Sequence, residues 1–163
     1  MCFSKLQFDN PEFVIGYRFS PEENSDPGIS LEDTDYLVDR LCETELDYLH
    51  VSLGHYEQTS IRSENDFEMT LKRLVDRINS RKIFIGVGSA VTIDDTHRML
   101  SYGVDMVAIG RQLLIDGKSV EKWEKDEKAY QAYQPKRKSE EHIPTNLDNI
   151  IMSTDGWVPI EKL

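Results

Sequence analysis

Short apolar runs alternate with amphipathic stretches along most of this chain. Four runs are apolar over most of their length, as is typical of strands buried on both faces of a sheet: residues 13–19, 47–54, 83–88 and 104–109. Each is followed by a stretch in which apolar residues recur at helical spacing, at about 30–42, 65–80, 92–102, and 112–115 with 120–133. The alternation predicts a parallel sheet covered by helices.

Polar residues and glycine at the ends of these stretches support the helix boundaries. Ser30 stands three residues before Asp33 as a weak capping box, and Thr92 is predicted as an N-cap with Asp95 three residues on. Gly103 is predicted as the glycine that ends the third helix. The pattern is clearest at 65–80, where the apolar positions are Phe67, Leu71, Leu74, Val75 and Ile78.

The order of elements, βαβαβαβα, defines the predicted fold class. It is α/β, and four βα units correspond to half of an eightfold (β/α) barrel, a partial TIM barrel. Residues 1–133 are predicted to form this half-barrel. From Gln134 the chain turns polar, so residues 134–163 are predicted as a linker followed by an apolar tail that packs back on the body.

Composition and charge narrow the classes of function. The chain has 163 residues, a 39% hydrophobic share and a formal net charge of −11, which disfavour nucleic acid or an anionic membrane as the main partner. Cys2 and Cys42 lack the spacing of a disulfide framework or a zinc site. Because no apolar run approaches the ~20 residues of a membrane span and the N-terminus lacks a signal-peptide core, we expect a cytoplasmic protein with no membrane partner.

The residues best suited to bind an anion follow the third and fourth runs. Gly86 and Gly88 lie at the end of the third run and Ser89 follows it, and Gly110 and Arg111 follow the fourth. Glycine lets the backbone approach an oxyanion, a helix N-terminus offers N–H groups, and arginine supplies a planar charged fork. Each glycine alone could be a tight turn and Arg111 a surface cap, but together the residues favour a phosphate site, as after strands seven and eight of (β/α) barrels.

Arg18 lies near the carboxyl end of the first apolar run. Its side chain is expected either in the barrel mouth, where it would hold an electron-rich ring or a carboxylate, or in an ion pair with the loop that follows. The loop acids that could pair with it are Glu22, Glu23 and Asp26. The run 22–23 is otherwise interpreted as a solvated face, and these alternatives stay open.

His50 and Ser52 lie at the end of the second run, where a serine next to a histidine suggests a nucleophile. A positioned acid, a nucleophile elbow and an oxyanion hole do not accompany them in the sequence. The pattern therefore favours a hydrogen-bonded strand end over nucleophilic catalysis.

Four segments carry a resemblance to a known family: GYRFSPEE at 16–23, YLHVSLG at 48–54, GVGS at 86–89 and MVAIGRQLL at 106–114. In this order they resemble the C-terminal half of the old yellow enzyme family, over residues 13 to about 120. That family comprises FMN-dependent NAD(P)H:flavin oxidoreductases and ene-reductases on a TIM barrel. The resemblance implies that the four units are equivalent to strands five to eight, that FMN is the cofactor, and that NAD(P)H is the reductant in the full-length family.

The resemblance also implies roles for single residues. Arg18 is similar to the arginine that contacts the flavin ring near its N1/O2 edge, where negative charge builds on reduction. Gly88 and Ser89 would line the FMN phosphate, and Gly110 with Arg111 would bind it. The family's substrate-anchoring pair and usual proton donor belong to strands one to four, so the resemblance implies no catalytic residue on this chain, and no metal site is indicated.

Three functions remain open at this point. An FMN-binding oxidoreductase would pass hydride from NAD(P)H through FMN to an activated alkene or another small-molecule acceptor, and the half-barrel alone would be inactive or nearly so. A non-catalytic phosphate- or flavin-binding or assembly module would pair its sheet edges with a second copy, giving a homo-oligomer, or with a separate N-terminal half. Another phosphate-binding barrel, such as an isomerase or synthase, would explain Gly88 and Gly110 but not Arg18 followed by Ser-Pro-Glu-Glu.

Overall fold

The computed structural model describes residues 12–161. The strands in this range are β1 (Gly16–Phe19), β2 (Tyr48–Val51), β3 (Ile83–Gly86) and β4 (Met106–Val107). The α-helices are α1 (Leu31–Cys42), α2 (Thr70–Ile78), α3 (Ile93–Ser101), α4 (Arg111–Ile115), α5 (Ser119–Glu124) and α6 (Thr145–Ser153), with a 3-10 turn at Pro135–Arg137. Within residues 12–161 no helix combines the length and apolar character needed to cross a bilayer.

The chain forms two compact units, and the parallel sheet belongs to the first. Among the described residues, this unit comprises 12–88 together with Thr96–Ala108, and the second comprises Ser89–Asp95 and 109–161. The strands of the sheet are parallel and lie in chain order, β1-β2-β3-β4. The predicted α/β class and parallel sheet are confirmed, and the sheet is consistent with part of a TIM barrel.

Aspartates just before β2 and β4 hold the neighbouring strands near their N-terminal ends. The N–H of Ile15 donates to Asp47 Oδ2 at 2.7 Å, and the N–H of Asp47 donates to Ile15 O at 2.8 Å. Phe84 and Asp105 repeat the arrangement, at 2.7 and 2.9 Å. β1 begins at Gly16, later than the apolar run predicted.

The predicted helix caps are present. In the first unit, Asp33 N–H donates to Ser30 Oγ at 3.2 Å and Ser30 N–H donates to Asp33 Oδ2 at 3.0 Å, a complete capping box. In the second unit, Thr92 and Asp95 form the same reciprocal pair, at 3.1 and 2.9 Å. Gly103 has a φ of 106°, which is the left-handed conformation expected of a helix-ending glycine.

Helix α2 is shorter than the predicted stretch 65–80. It begins at Thr70, after Met69 in an extended conformation, and Phe67 is 81% exposed rather than part of the apolar stripe. The N–H of Thr70 donates to the carbonyl of Gln58 at 2.9 Å, so the residues before the helix belong to the loop that follows β2. The apolar residue at 67 matched the helical spacing by coincidence.

One face of the sheet is covered and forms the core of the first unit. Leu49, Val51 and Phe84 on this face are at most 2% exposed, and buried side chains of the neighbouring helices include Val38, Leu71, Leu74 and Ile78. Side chains alternate along a strand, so the paired row Arg18, His50 and Ile85 lies on the opposite face.

Helices α1 and α2 are joined by a row of half-buried ion pairs. Both nitrogens Nε and Nη2 of Arg73 donate to the carboxylate of Asp35, at 3.2 and 2.7 Å. Arg77 and Arg81 donate to Asp39 at 2.6 and 2.9 Å. The Asp35 side chain is only 14% exposed, and its loss would leave Arg73 with longer contacts to Asp66 and Glu68, at 3.5 and 3.8 Å.

We expect Asp35→Ala to lower the free energy of unfolding by about 2 kcal/mol, the scale of hydrogen bonds to charged groups. Asp76→Ala is the matched control, because Asp76 is 60% exposed and pairs with Lys72 one helical turn away on the same surface. That control should change the free energy by less than ~0.5 kcal/mol. Urea unfolding followed by circular dichroism measures the free energy of unfolding of both variants. Equal decreases would show that the ion pairs between α1 and α2 stabilise the protein no more than an exposed surface pair does.

The second unit has a small apolar core of its own. Ile115, Tyr133, Ile151 and Val158 are at most 3% exposed and pack together. Tyr133 also forms a parallel bridge with Ile160. Residues of the predicted tail thus pack with residues that precede it, within this unit. The predicted domain boundary between 133 and 134 stays a prediction.

A buried tyrosine and two charged groups support this core. The hydroxyl of Tyr133 donates to Asp148 Oδ1 at 2.7 Å, and Lys138 Nζ donates to Asp148 Oδ2 at 2.7 Å. The bond from Lys138, followed by the bond from Tyr133, holds the pKa of Asp148 below its usual value. Burial, with the neighbouring carboxylate, raises the pKa of Tyr133 to about 12.

This raised pKa predicts a loss of stability in alkaline solution. The unfolded tyrosine ionises near pH 10, whereas folded Tyr133 stays neutral until about 12, so its contribution is complete below pH 10 and is lost as the pH rises toward 12. Relative to Tyr133→Phe, the wild-type protein should lose about 2 kcal/mol of unfolding free energy across that interval. Denaturant titrations from pH 9 to 12 measure the unfolding free energy of both proteins. If the two free energies change with pH in the same way, the raised pKa of Tyr133 is contradicted.

Candidate functional site

Gly110 precedes α4 in the second unit and has open space beside its backbone. Its φ and ψ are −121° and −85°, and as a glycine at the N-cap it makes no side-chain hydrogen bond to the helix. A Cβ added to Gly110 would meet no atom within 4 Å. Packing among residues 12–161 therefore does not explain the glycine, and the space is of the kind that lets a ligand approach a backbone.

Arg111 reaches from the first residue of α4 to Ser89. Its Nη2 donates to Ser89 Oγ, and its Nη1 donates to the carbonyl of Trp157 at 3.4 Å. Ser89 has a φ of 60°, in the left-handed region that residues other than glycine seldom adopt and that often marks functional sites. The structure thus brings together two of the predicted residues, with Gly110 next to Arg111 in the chain, and a guanidinium beside a hydroxyl suits an oxyanion.

Gly88, in the first unit, is constrained by packing. A Cβ there would lie 2.6 Å from Tyr56 Cα and 2.7 Å from the carbonyl carbon of His55, and the N–H of Tyr56 donates to Gly88 O at 3.0 Å. The backbone of the loop after β2 crosses so closely that only glycine fits. This contact gives a structural reason for Gly88, while its predicted phosphate contact stays a prediction.

Arg18, also in the first unit, donates from Nη2 to Ser52 Oγ at 2.6 Å. The guanidinium is exposed, and in the described part of the chain it makes no ion pair, so the alternative of a bond to the acids at 22, 23 or 26 is wrong. Ser52 had no assigned partner in the sequence interpretation. The signal that could have found it is the register, because β1 and β2 pair Arg18 with His50, and Ser52 lies on the same face two residues further on.

His50 lies beside Arg18 and is held neutral. Its Nε2 is buried without a hydrogen-bond partner among residues 12–161. Burial, and then the positive charge of Arg18, lower the pKa of this imidazole. No hydrogen bond joins it to Ser52 in the same range, which agrees with the preference for a strand end over a nucleophile.

The interpretation of residues 22–23 as a solvated face is wrong for Glu22, whereas Glu23 is exposed as expected. Glu22 is 8% exposed, and its carboxylate accepts bonds from Ser60 Oγ at 2.8 Å and Ile61 N at 2.7 Å. The bonds join the loop after β1 to the loop after β2, at the carboxyl end of the sheet. Sequence reasoning missed this because the partners are almost forty residues away along the chain.

Parallel strands that alternate with helices define the class of protein as α/β, consistent with part of a TIM barrel. The sequence profile of the NADH:flavin oxidoreductase / NADH oxidase family matches residues 9–129. The chain belongs to this family. The resemblance to the old yellow enzyme family is thereby confirmed, and with it the association with flavin and NADH.

Curated relatives agree with this assignment. The chain is 36% identical over 149 residues to "Probable NADH-dependent flavin oxidoreductase" of Bacillus subtilis (strain 168), covering 90% of this chain and 40% of the relative. It is 34% identical over 148 residues to NADH:acrylate oxidoreductase of Vibrio harveyi (89% and 15%) and 36% identical over 108 residues to NADH:fumarate oxidoreductase of Klebsiella pneumoniae (strain 342) (64% and 12%). The chain therefore spans less than half the length of each.

Proposed function

We propose that this chain is the flavin-binding C-terminal half of an FMN-dependent oxidoreductase. In the complete enzyme, hydride would pass from a reduced nicotinamide nucleotide to FMN and on to an activated alkene or another small acceptor. The observation that carries the proposal is the bond between Arg111 and Ser89 next to the open backbone of Gly110. Membership of the NADH:flavin oxidoreductase family supports FMN as the group bound there.

The second unit would hold the phosphate end of FMN. Arg111 offers a planar fork, Ser89 a hydroxyl, and Gly110 a backbone without a Cβ, which together fit the oxygens of a phosphate monoester. Gly88 is the remaining predicted phosphate neighbour. A bound FMN supplies the hydride chemistry, and the part of these residues is to bind and orient it.

Arg18, in the first unit, would contact the flavin ring, as the family resemblance implies. Its guanidinium is oriented by Ser52 and exposed at the carboxyl end of β1. Because His50 stays neutral, Arg18 faces no like charge from its strand partner and can place its positive charge against the electron-rich N1/O2 edge of the ring. Positive charge at that edge favours the reduced flavin, which carries more negative charge there.

The names of the relatives guide the choice of reductant and acceptor. All three specify NADH, and two specify acrylate or fumarate, which are alkenes conjugated to a carboxylate. We therefore propose NADH and an unsaturated carboxylic acid as the partners of the complete enzyme. Anchoring of that acid and proton donation would fall to residues that correspond to strands one to four.

The sheet supports the proposal that the chain works with further strands. Among the described residues, the outer edges of β1 and β4 pair with no strand, and Met106 of β4 is 54% exposed. We propose that a complementing N-terminal half or a second copy covers them and that the chain alone is inactive or nearly so. Sedimentation as a clean monomer that oxidises NADH unaided would contradict this.

Two measurements test the function. Purified protein incubated with FMN and then desalted should retain a flavin absorbance band, and adding the N-terminal portion of the Bacillus relative should restore NADH oxidation. A retained flavin without restored oxidation would favour the non-catalytic flavin-binding module. No flavin uptake, alone or with the added half, would contradict the oxidoreductase assignment.

A further inference from the structure

The second unit contains a cavity of about 650 Å³ whose lining does not include Ser89, Gly110 or Arg111. Its walls come from the start of α3, from Trp123 on α5, from the segment 126–134 and from Glu161. The volume lies within the range of small-molecule sites, about 300–1,000 Å³. The cavity is therefore large enough for a ligand other than the FMN proposed above.

One wall of the cavity is aromatic and apolar. Trp123 lines it and is only 9% exposed, so its indole is held by the surrounding structure rather than free in solvent. Val91, Ile93 and Ala129 add apolar surface. Tyr130, also in the lining, already carries two cations on its ring, Lys122 at 4.1 Å and Arg137 at 4.0 Å from the centroid. Trp123 carries no cation of this kind within residues 12–161.

The charged side chains around the cavity are mostly acidic. Four carboxylates and one lysine line it: Asp94, Asp126, Glu127 and Glu161, with Lys128. Within the described residues, none of these carboxylates accepts a hydrogen bond or forms an ion pair. Lys122 and Arg137, which lie over the ring of Tyr130, form ion pairs with Asp116 and Glu141, two carboxylates outside the lining. The four carboxylates are exposed to solvent, and their excess of negative charge attracts ions of the opposite charge.

We propose that this cavity binds an organic cation, a protonated amine on an apolar body. The ammonium group would face the carboxylates, and the apolar body would lie against Trp123, where a cation or its adjacent carbons gain from the indole face. A metal ion fits the geometry less well, because in the part of the chain that the structure describes no three His, Cys, Asp or Glu side chains lie close enough together to hold one.

The probe for this site is phenethylamine, which is protonated at pH 7, with phenethyl alcohol as a neutral control of nearly the same shape. The chain has two tryptophans, so Trp157→Phe leaves Trp123 as the reporter of the cavity. We expect a saturable change in Trp123 emission with phenethylamine, weakened by salt, and binding of the alcohol at least about tenfold weaker. Equal binding of the alcohol, or no saturable change with the amine, overturns the proposal.

Matched double variants separate the cavity from the net charge of the protein. Asp126→Asn with Glu127→Gln removes two lining carboxylates, and Glu121→Gln with Glu124→Gln removes two exposed carboxylates of α5 outside the lining. The first pair should weaken phenethylamine binding about fivefold, and the second by less than about twofold. Equal weakening by both pairs would mean non-specific attraction and would overturn the proposal. The apoprotein suffices, so the result does not depend on flavin binding.

Discussion

Gly88→Ala is expected to destabilise the protein by about 3 kcal/mol, because the new methyl group would collide with backbone rather than with a flexible side chain. The colliding atoms are Tyr56 Cα at 2.6 Å and the His55 carbonyl carbon at 2.7 Å, and Tyr56 also donates a hydrogen bond to Gly88 that a shift would break. The melting temperature should fall by about 6–12 °C, which calorimetry can measure.

Gly110→Ala is the control for this substitution. A Cβ at Gly110 would meet nothing within 4 Å, so the same chemical change should cost less than ~1 kcal/mol. The pair distinguishes a glycine required by packing from one at which packing leaves space. Equal destabilisation by the two substitutions would show that the close approach of the loop after β2 does not set the requirement at Gly88.

Arg111→Ala is expected to weaken FMN binding about 10- to 100-fold, through the loss of charge-assisted hydrogen bonds to the phosphate. Arg111→Lys keeps the charge but not the fork, so its affinity should fall between those of the wild type and the alanine variant. Lys125→Ala is the control for net charge, since this exposed lysine also lies in the second unit. Fluorescence quenching of added FMN measures all three, and a loss for Lys125→Ala as large as for Arg111→Ala would contradict the assignment.

Local signals in the sequence predicted local structure well. The capping pair Ser30 and Asp33, the pair Thr92 and Asp95, and the left-handed Gly103 all involve residues within one helical turn of a helix end, where short-range hydrogen bonding decides the conformation. The apolar runs also predicted the parallel sheet, because strands buried between layers are apolar along their length.

Contacts between distant residues could not be predicted in this way. The close approach of Tyr56 to Gly88, the bond from Arg18 to Ser52 and the burial of Glu22 all depend on which loops the fold brings together. For Phe67 the sequence predicted a helical position that the structure does not have. Phe67 lies in the loop before α2, and Thr70 at the start of α2 donates a hydrogen bond to Gln58. Of the candidate site, the sequence indicated Ser89 and Arg111 as candidate residues, whereas the hydrogen bond between them could not be predicted.

A comparison of FMN with riboflavin, on the wild-type protein and on Arg111→Ala, shows whether residues of the second unit bind the phosphate of FMN. Riboflavin lacks the phosphate but keeps the ring. We expect the wild type to bind FMN about 10- to 100-fold more tightly than riboflavin and Arg111→Ala to remove most of this difference. An FMN preference that is unchanged in Arg111→Ala would contradict phosphate binding by Arg111.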